Sequence, residues 1–152
     1  MYHRHNIIKL FLSFFFQYYA MTEKFKVDEN YSRLQNSKYY RFAREWLQIF
    51  PREQIHFVNG DTITRDPVSE LRKIETFLGL RHYISQSNFV FNSTKGFFCW
   101  RYSDGTETCE TKNKGRPHPK IAPLVQQMLT DYFKPFNRKF FDLIGEDFGW
   151  PT

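Results

Sequence analysis

The feature that most constrains the fold of this sequence is its only pair of cysteines, Cys99 and Cys109, which flank an Asp-Gly dipeptide. Asp104 and Gly105 suit a tight turn with positive φ, so we expect a hairpin that brings the cysteines opposite each other. A disulfide between them would stabilise the fold by roughly 2 to 3 kcal/mol, because it closes a short loop. The alternative is two unlinked buried thiols, since a disulfide requires an oxidising compartment.

Two sequons bear on the cellular compartment of the chain. Asn30 and Asn92 each begin an N-x-S/T triplet, which accepts a glycan only in the secretory pathway. Together with the cysteines they predict a lumenal protein that is glycosylated at both sites. Two cysteines are too few to form a metal cage, and the histidines do not complete one, so we expect no metal site.

The amino-terminal segment, residues 1–29, is of uncertain origin. Its apolar run, residues 7–20, is shorter than the ~20 residues that span a bilayer. It could be a signal sequence or a buried helix, and the protein would associate with a membrane only if this run acts as an anchor. We favour a third alternative, an irregular start left by truncation of a longer protein, and assign residues 30–152 to the folded domain.

The periodicity of apolar residues predicts an α/β fold. Ser37 to Phe50 has a helical period that stops at Pro51, and Gln54 to Val58 is predicted to be a buried strand that ends in a turn at Asp61. Three more helices are predicted: from Asp66-Pro67 to Gly79, from Pro123 to a break at Pro135, and from about Phe136 to Gly145. Glu70 and Glu75 are interpreted as acids on a helix surface.

The net charge of +6 favours anionic partners. The sequence has no zinc-finger spacing, no RNP-like aromatic box and no long basic helix, so nucleic acid is not the expected partner. The strongest candidate for an anion site is the turn Lys114-Gly115-Arg116-Pro117-His118, where a glycine lets backbone N–H groups face a phosphate and the basic side chains add charge. The alternative is a solvated basic loop that includes Lys112 and Lys120.

The same region resembles a known enzyme family. Residues 91–99 read F-N-S-T-K-G-F-F-C, a second cysteine follows at 109, and residues 114–119 read K-G-R-P-H-P. This order is similar to the carboxyl-terminal part of heparan sulfate glucosamine 3-O-sulfotransferases. Further ordered matches include Trp46-Leu47, Phe57 to Asp61, Phe77 to Leu80 and Phe148-Gly149-Trp150.

The resemblance implies a partial sulfotransferase fold, related to P-loop nucleotide kinases, that lacks the amino-terminal phosphosulfate-loop half. It implies 3′-phosphoadenosine 5′-phosphosulfate (PAPS) as sulfuryl donor and the polysaccharide heparan sulfate as acceptor, and the expected location is the Golgi lumen or the secretory pathway. By this resemblance Lys114, Gly115, Arg116, Pro117 and His118 hold the nucleotide together with Phe98, which stands where several members have Tyr. Thr94 and Lys95 are predicted to contact the polysaccharide.

Parts of the family pattern have no match. The sequence contains no G-x-x-x-x-G-K-[ST] pattern and no counterpart of the family's catalytic glutamate. We therefore assign no catalytic residue and expect little or no transfer by this chain alone, because sulfuryl transfer needs a base near the acceptor hydroxyl. Two other functions stay open: a non-catalytic module that binds an anionic polysaccharide, and a small basic nucleic-acid binder.

Overall fold

The computed structural model describes residues 20–109 and 120–152. These residues fall into two compact units, one formed by residues 20–51 and 120–152 and the other by residues 52–109. The described helices, in chain order, are α1 (Ser32–Asn36), α2 (Tyr39–Ile49), α3 (Gly60–Arg65), α4 (Pro67–Phe77) and α5 (Pro123–Ile144). The described strands are β1 (Phe89–Asn92), β2 (Phe97–Arg101) and β3 (Glu107–Thr108).

In the first unit, α2 packs against α5. The helix predicted for Ser37 to Phe50 is confirmed as Tyr39–Ile49. Tyr40 stacks on Phe136 of α5 with ring centroids 6.0 Å apart, and Ala43 is buried. Trp46 and Ile49 are 59% and 74% exposed, so much of the apolar stripe of α2 lies on the surface of this unit.

Helix α5 corrects the sequence prediction at Pro135. The break expected there is wrong, because one helix runs from Pro123 through Pro135 to Ile144. Contacts with other parts of the unit hold the helix on both sides of the proline: the ammonium of Lys38 lies 5.2 Å from the centroid of the Tyr132 ring, and Phe140 stacks on Trp150 at 5.8 Å. Packing of this kind offsets the hydrogen bond that a proline removes from a helix. The predicted end is confirmed, since Gly145 has a φ of 75°.

In the second unit, the strand predicted at Gln54 to Val58 is wrong. Residues 52–54 form a 3₁₀ turn, and residues 55–58 pair with no strand among the residues that the structure describes. The turn predicted at Asp61 is also wrong, because Asp61 lies in the first turn of α3. Asn59 caps this helix by accepting hydrogen bonds from the backbone N–H groups of Asp61 at 3.0 Å and Thr62 at 3.2 Å.

Helix α4 begins and ends as predicted. Asp66 caps it by accepting a hydrogen bond from the N–H of Ser69, and Pro67 is its first residue. The helix ends before Gly79, whose φ is 66°. Because each of these signals acts within one turn of the helix, the sequence alone is enough to place both ends.

The sheet of the second unit is small and antiparallel, with the order β1-β2-β3. In the first pair Val90 lies opposite Cys99 and Asn92 opposite Phe97; in the second, Arg101 lies opposite Glu107. A sheet of this kind together with five described helices fits the predicted α/β class.

Candidate functional site

The hairpin predicted between the two cysteines is present. Strands β2 and β3 are joined by a turn in which Gly105 has a φ of 84° and Tyr102 donates its backbone N–H to the carbonyl of Thr106 at 2.8 Å. Asp104 supports the turn by accepting hydrogen bonds from the backbone and side chain of Thr106, and these bonds hold the pKa of its carboxyl below the ordinary value.

A disulfide joins Cys99 to Cys109, as predicted, so the alternative of two unlinked thiols is rejected. Cys99 lies in β2 and is only 2% exposed, whereas Cys109 directly follows β3. The bond fixes the end of the hairpin from which the chain continues toward the basic turn. Lys114 to His118 themselves lie outside the described residues, and their role as a nucleotide site stays a prediction.

A second turn joins β1 to β2 and lies within the F-N-S-T-K-G-F-F-C motif, whose ends belong to the two strands. The carbonyl of Asn92 accepts hydrogen bonds from the N–H groups of Lys95 at 3.2 Å and Gly96 at 2.8 Å, and Gly96 has a φ of 75°. Positive φ favours glycine, which accounts for this residue type in the motif. Thr94 is exposed at the turn, and the ammonium of Lys95 lies 5.6 Å from the centroid of the Phe97 ring.

Phe98 belongs to an aromatic face of the same sheet. Its ring meets Phe91 edge-on with centroids 5.2 Å apart and Phe89 at 6.4 Å, while Phe89 also meets Trp100 at 5.2 Å. Phe98 is half-buried among these rings. It can therefore offer a ring edge or face to a ligand but no side-chain hydrogen bond, because it lacks the hydroxyl that Tyr would carry.

Two carboxylates that the sequence analysis placed on a helix surface are internal. Glu70 is 1% exposed and accepts hydrogen bonds from the backbone N–H of Asn59 at 2.8 Å and from Lys73 at 2.9 Å. Glu75 is buried and accepts from the backbone N–H groups of Tyr83 at 2.8 Å and Ile84 at 2.9 Å. Each carboxylate therefore ties helix α4 to a neighbouring stretch of irregular backbone.

These contacts lower the pKa values of both groups. Burial raises the pKa of Glu70, but the Asn59 N–H, the Lys73 ammonium and the positive charge that His56 can carry outweigh burial and leave this pKa below the ordinary value. For Glu75 burial likewise raises the pKa, and the two backbone N–H groups, with His82 and Arg72, lower it by more. Both groups are ionised acceptors at neutral pH.

The described residues contain no group of three or more His, Cys, Asp or Glu side chains that could hold a metal ion. In the same part of the chain, no helix is both long enough and apolar enough to cross a membrane. The apolar run at residues 7–20 lies outside the described residues except for Ala20, which is buried.

Comparison with protein families decides the identity of this fold. The family model for the sulfotransferase domain matches residues 1–142 of this chain. The chain belongs to the sulfotransferase domain family. The resemblance predicted from the cysteine hairpin and the basic turn is thereby confirmed at the level of this family.

Individual relatives of this sulfotransferase domain lie among enzymes that act on heparan sulfate. The chain is 43% identical to heparan sulfate glucosamine 3-O-sulfotransferase 3B1 of Mus musculus over 126 aligned residues. The aligned stretch covers 82% of this chain and 32% of the relative. It is 39% identical over 140 residues to heparan sulfate glucosamine 3-O-sulfotransferase 5 of Homo sapiens, covering 88% of the chain and 40% of the relative. The chain thus spans well under half the length of these relatives.

Proposed function

We propose that this chain is part of a heparan sulfate glucosamine 3-O-sulfotransferase that uses PAPS as sulfuryl donor. In that enzyme it contributes the nucleotide-binding turn and not the catalytic base. The observation that carries the proposal is the 43% identity to a 3-O-sulfotransferase over 126 residues. The hairpin supports it, because the disulfide between Cys99 and Cys109 anchors the chain that leads to Lys114.

The residue types of the basic turn fit the donor. PAPS carries a phosphate at the 3′ position and a phosphosulfate at the 5′ position of its ribose, and Lys114 and Arg116 are fixed cations that form short, strong hydrogen bonds with phosphate oxygens. Gly115 permits close approach of the backbone, and His118 adds a further donor. Phe98 would contact the nucleotide through its ring alone.

The reaction requires groups that the turn does not supply. A sulfur–oxygen bond to the donor phosphate breaks, a new bond joins the sulfur to the 3-hydroxyl of glucosamine, and the hydroxyl proton passes to a base. Lys114 and Arg116 would stabilise charge on the leaving phosphate. The base is the glutamate that has no match here, and Glu70 and Glu75 do not replace it, since both are buried and hydrogen-bonded to backbone N–H groups.

Transfer of sulfate to an N-sulfated heparan oligosaccharide tests the proposal. The chain alone should transfer little or no sulfate. Fusion to the portion of the mouse 3B1 relative that it does not match should give transfer, and mass spectrometry with NMR should place the new sulfate on the 3-hydroxyl. Robust turnover by the isolated chain would show that the base has been misassigned.

One outcome of the assay would replace the enzymatic proposal. Saturable heparin binding by the fused protein, with neither nucleotide binding nor transfer, would identify a non-catalytic module for anionic polysaccharides. The compartment is part of the same proposal: we assign the chain to the Golgi lumen or the secretory pathway, because disulfides such as Cys99–Cys109 persist in oxidising compartments.

A further inference from the structure

Asn92 is both the acceptor of a sequon and the last residue of β1. Its side-chain oxygen Oδ1 accepts a hydrogen bond from the backbone N–H of Lys95 at 3.0 Å. That bond identifies the oxygen end of the amide, because a backbone N–H must face an acceptor. The nitrogen end, Nδ2, lies 3.9 Å from the sulfur of Cys109. Both polar ends of the acceptor side chain therefore have a partner, one in the turn after β1 and the other at the disulfide.

Cys109 is held in this place by the disulfide and by the short strand β3, in which Glu107 also forms an ion pair with Arg101 at 2.8 Å. Strand β3 has only two residues, and it pairs with β2 only through Thr108 with Trp100 and through Glu107 with Arg101. So short a strand is weakly held by its backbone pairing alone. Without the bond to Cys99, Cys109 could leave Asn92 and the turn of the sequon could open.

We propose that Asn92 accepts a glycan only before Cys99 and Cys109 are joined, so that glycosylation and disulfide closure compete for the same hairpin. In glycan transfer Nδ2 loses a proton and forms a bond to the anomeric carbon of a lipid-linked oligosaccharide diphosphate, while the bond from that carbon to phosphate breaks. Nδ2 must enter the transferase to react, and it must then leave the sulfur of Cys109.

In the competing step, the two thiols lose two protons and two electrons to a disulfide-carrying oxidoreductase of the same compartment. The product is the closed hairpin, in which Nδ2 of the half-buried Asn92 lies 3.9 Å from the sulfur of Cys109. Whichever reaction comes first disfavours the other. The proposal does not depend on the sulfotransferase activity, because neither reaction involves the nucleotide or the polysaccharide.

The other sequon provides a control within the same chain. Asn30 is exposed, belongs to the unit formed by residues 20–51 and 120–152, and donates its backbone N–H to Asp28 at 3.0 Å. The disulfide lies in the unit of residues 52–109. Loss of the disulfide should therefore leave glycan occupancy at Asn30 unchanged.

The experiment measures glycan occupancy and thiol state together. The full chain is secreted from cells behind a cleavable signal, free thiols are alkylated, and peptide mass spectrometry scores Asn92, Asn30 and the cysteines. In the unsubstituted chain, molecules with a glycan on Asn92 should be enriched in alkylated Cys99 and Cys109. Cys109→Ser should raise the occupied fraction at Asn92 alone.

Several results would overturn the proposal. One is co-occurrence of the glycan and the disulfide at the frequency expected by chance, which needs no variant and so cannot reflect misfolding. Others are equal occupancy at Asn92 with and without Cys109, an equal rise at both sequons, or no glycan on Asn92 in the Cys109→Ser chain.

Discussion

At the scale of single residues, the main finding is that Glu70 and Glu75 act as internal hydrogen-bond acceptors. The sequence could not predict this role, because both lie in a charged helical pattern that is typical of exposed acids. Their backbone partners lie outside helix α4: Asn59 is 11 residues before Glu70, and Tyr83 and Ile84 are 8 and 9 residues after Glu75. Only the folded backbone brings donor and acceptor together.

Removal of the Glu70 carboxylate should destabilise the unit formed by residues 52–109. Glu70→Ala leaves the buried N–H of Asn59 without its acceptor, which costs about 1 to 3 kcal/mol of unfolding free energy. Lys73→Ala is the matched control and should cost less, because the Lys73 side chain is 53% exposed and water can replace it. Urea denaturation of both variants measures the difference, and equal losses would contradict the role given to the Asn59 hydrogen bond.

The same residue predicts a dependence of stability on pH. The folded-state pKa of Glu70 is lowered, so its folded form binds a proton less readily than its unfolded form. Its stabilising contribution is therefore complete above the ordinary glutamate pKa of about 4.3 and is lost as the pH falls through the lower folded-state value. Melting temperatures between pH 7 and acid should fall more steeply for the unsubstituted protein than for Glu70→Gln. Parallel curves would refute this.

At the scale of elements, sequence signals that act within one helical turn predicted the helix ends correctly, whereas features that depend on distant parts of the chain were not predicted. Asp66 with Pro67 located the start of α4 and Gly145 located the end of α5, because a cap and a left-handed glycine act within one helical turn. The strand expected at Gln54 to Val58 failed, since a strand exists only where another strand pairs with it. The stop expected at Pro135 failed because aromatic packing along α5 outweighs the loss of one hydrogen bond.

Helix α5 gives a prediction at this scale. Pro135→Ala restores a backbone donor in the middle of the helix and removes the steric clash of the proline ring, which together are worth ~3 kcal/mol, less ~1 kcal/mol for the greater freedom of the unfolded chain. The variant should therefore be more stable by about 2 kcal/mol, with higher helical content by circular dichroism. A less stable variant would mean that the proline shapes a bend on which the packing of Phe136 depends.

At the scale of the whole molecule, the sequence predicted the family and the disulfide-bonded hairpin of the candidate site, but not every side-chain contact within that site. The cysteine hairpin was predictable because Asp104 and Gly105 specify its turn locally, and the disulfide follows from that geometry. The glycan acceptor at Asn92 was recognisable as a sequon, yet its contact with Cys109 depends on the register of three strands. The contacts of Lys114 to His118 stay predictions, since the described residues do not include them.

The most direct test of the proposed function is calorimetric titration of 3′-phosphoadenosine 5′-phosphate into the fused protein. Lys114→Ala and Arg116→Ala should each weaken binding about ten- to a hundredfold, because each removes a charge-assisted contact worth about 1.5 to 3 kcal/mol. Gly115→Val should be comparably harmful, since a β-branched side chain resists positive φ and blocks the approach of phosphate to the backbone.

Lys134→Ala is the control for general positive charge in this titration. Lys134 pairs with Asp131 at 3.0 Å on the half-exposed surface of α5, outside the basic turn. Loss of the Lys134 ammonium should leave nucleotide affinity nearly unchanged. Large losses for the three turn variants with a neutral control are the predicted result; equal, small losses for all four would mean that residues 114–118 are only a solvated loop, and would contradict the nucleotide assignment.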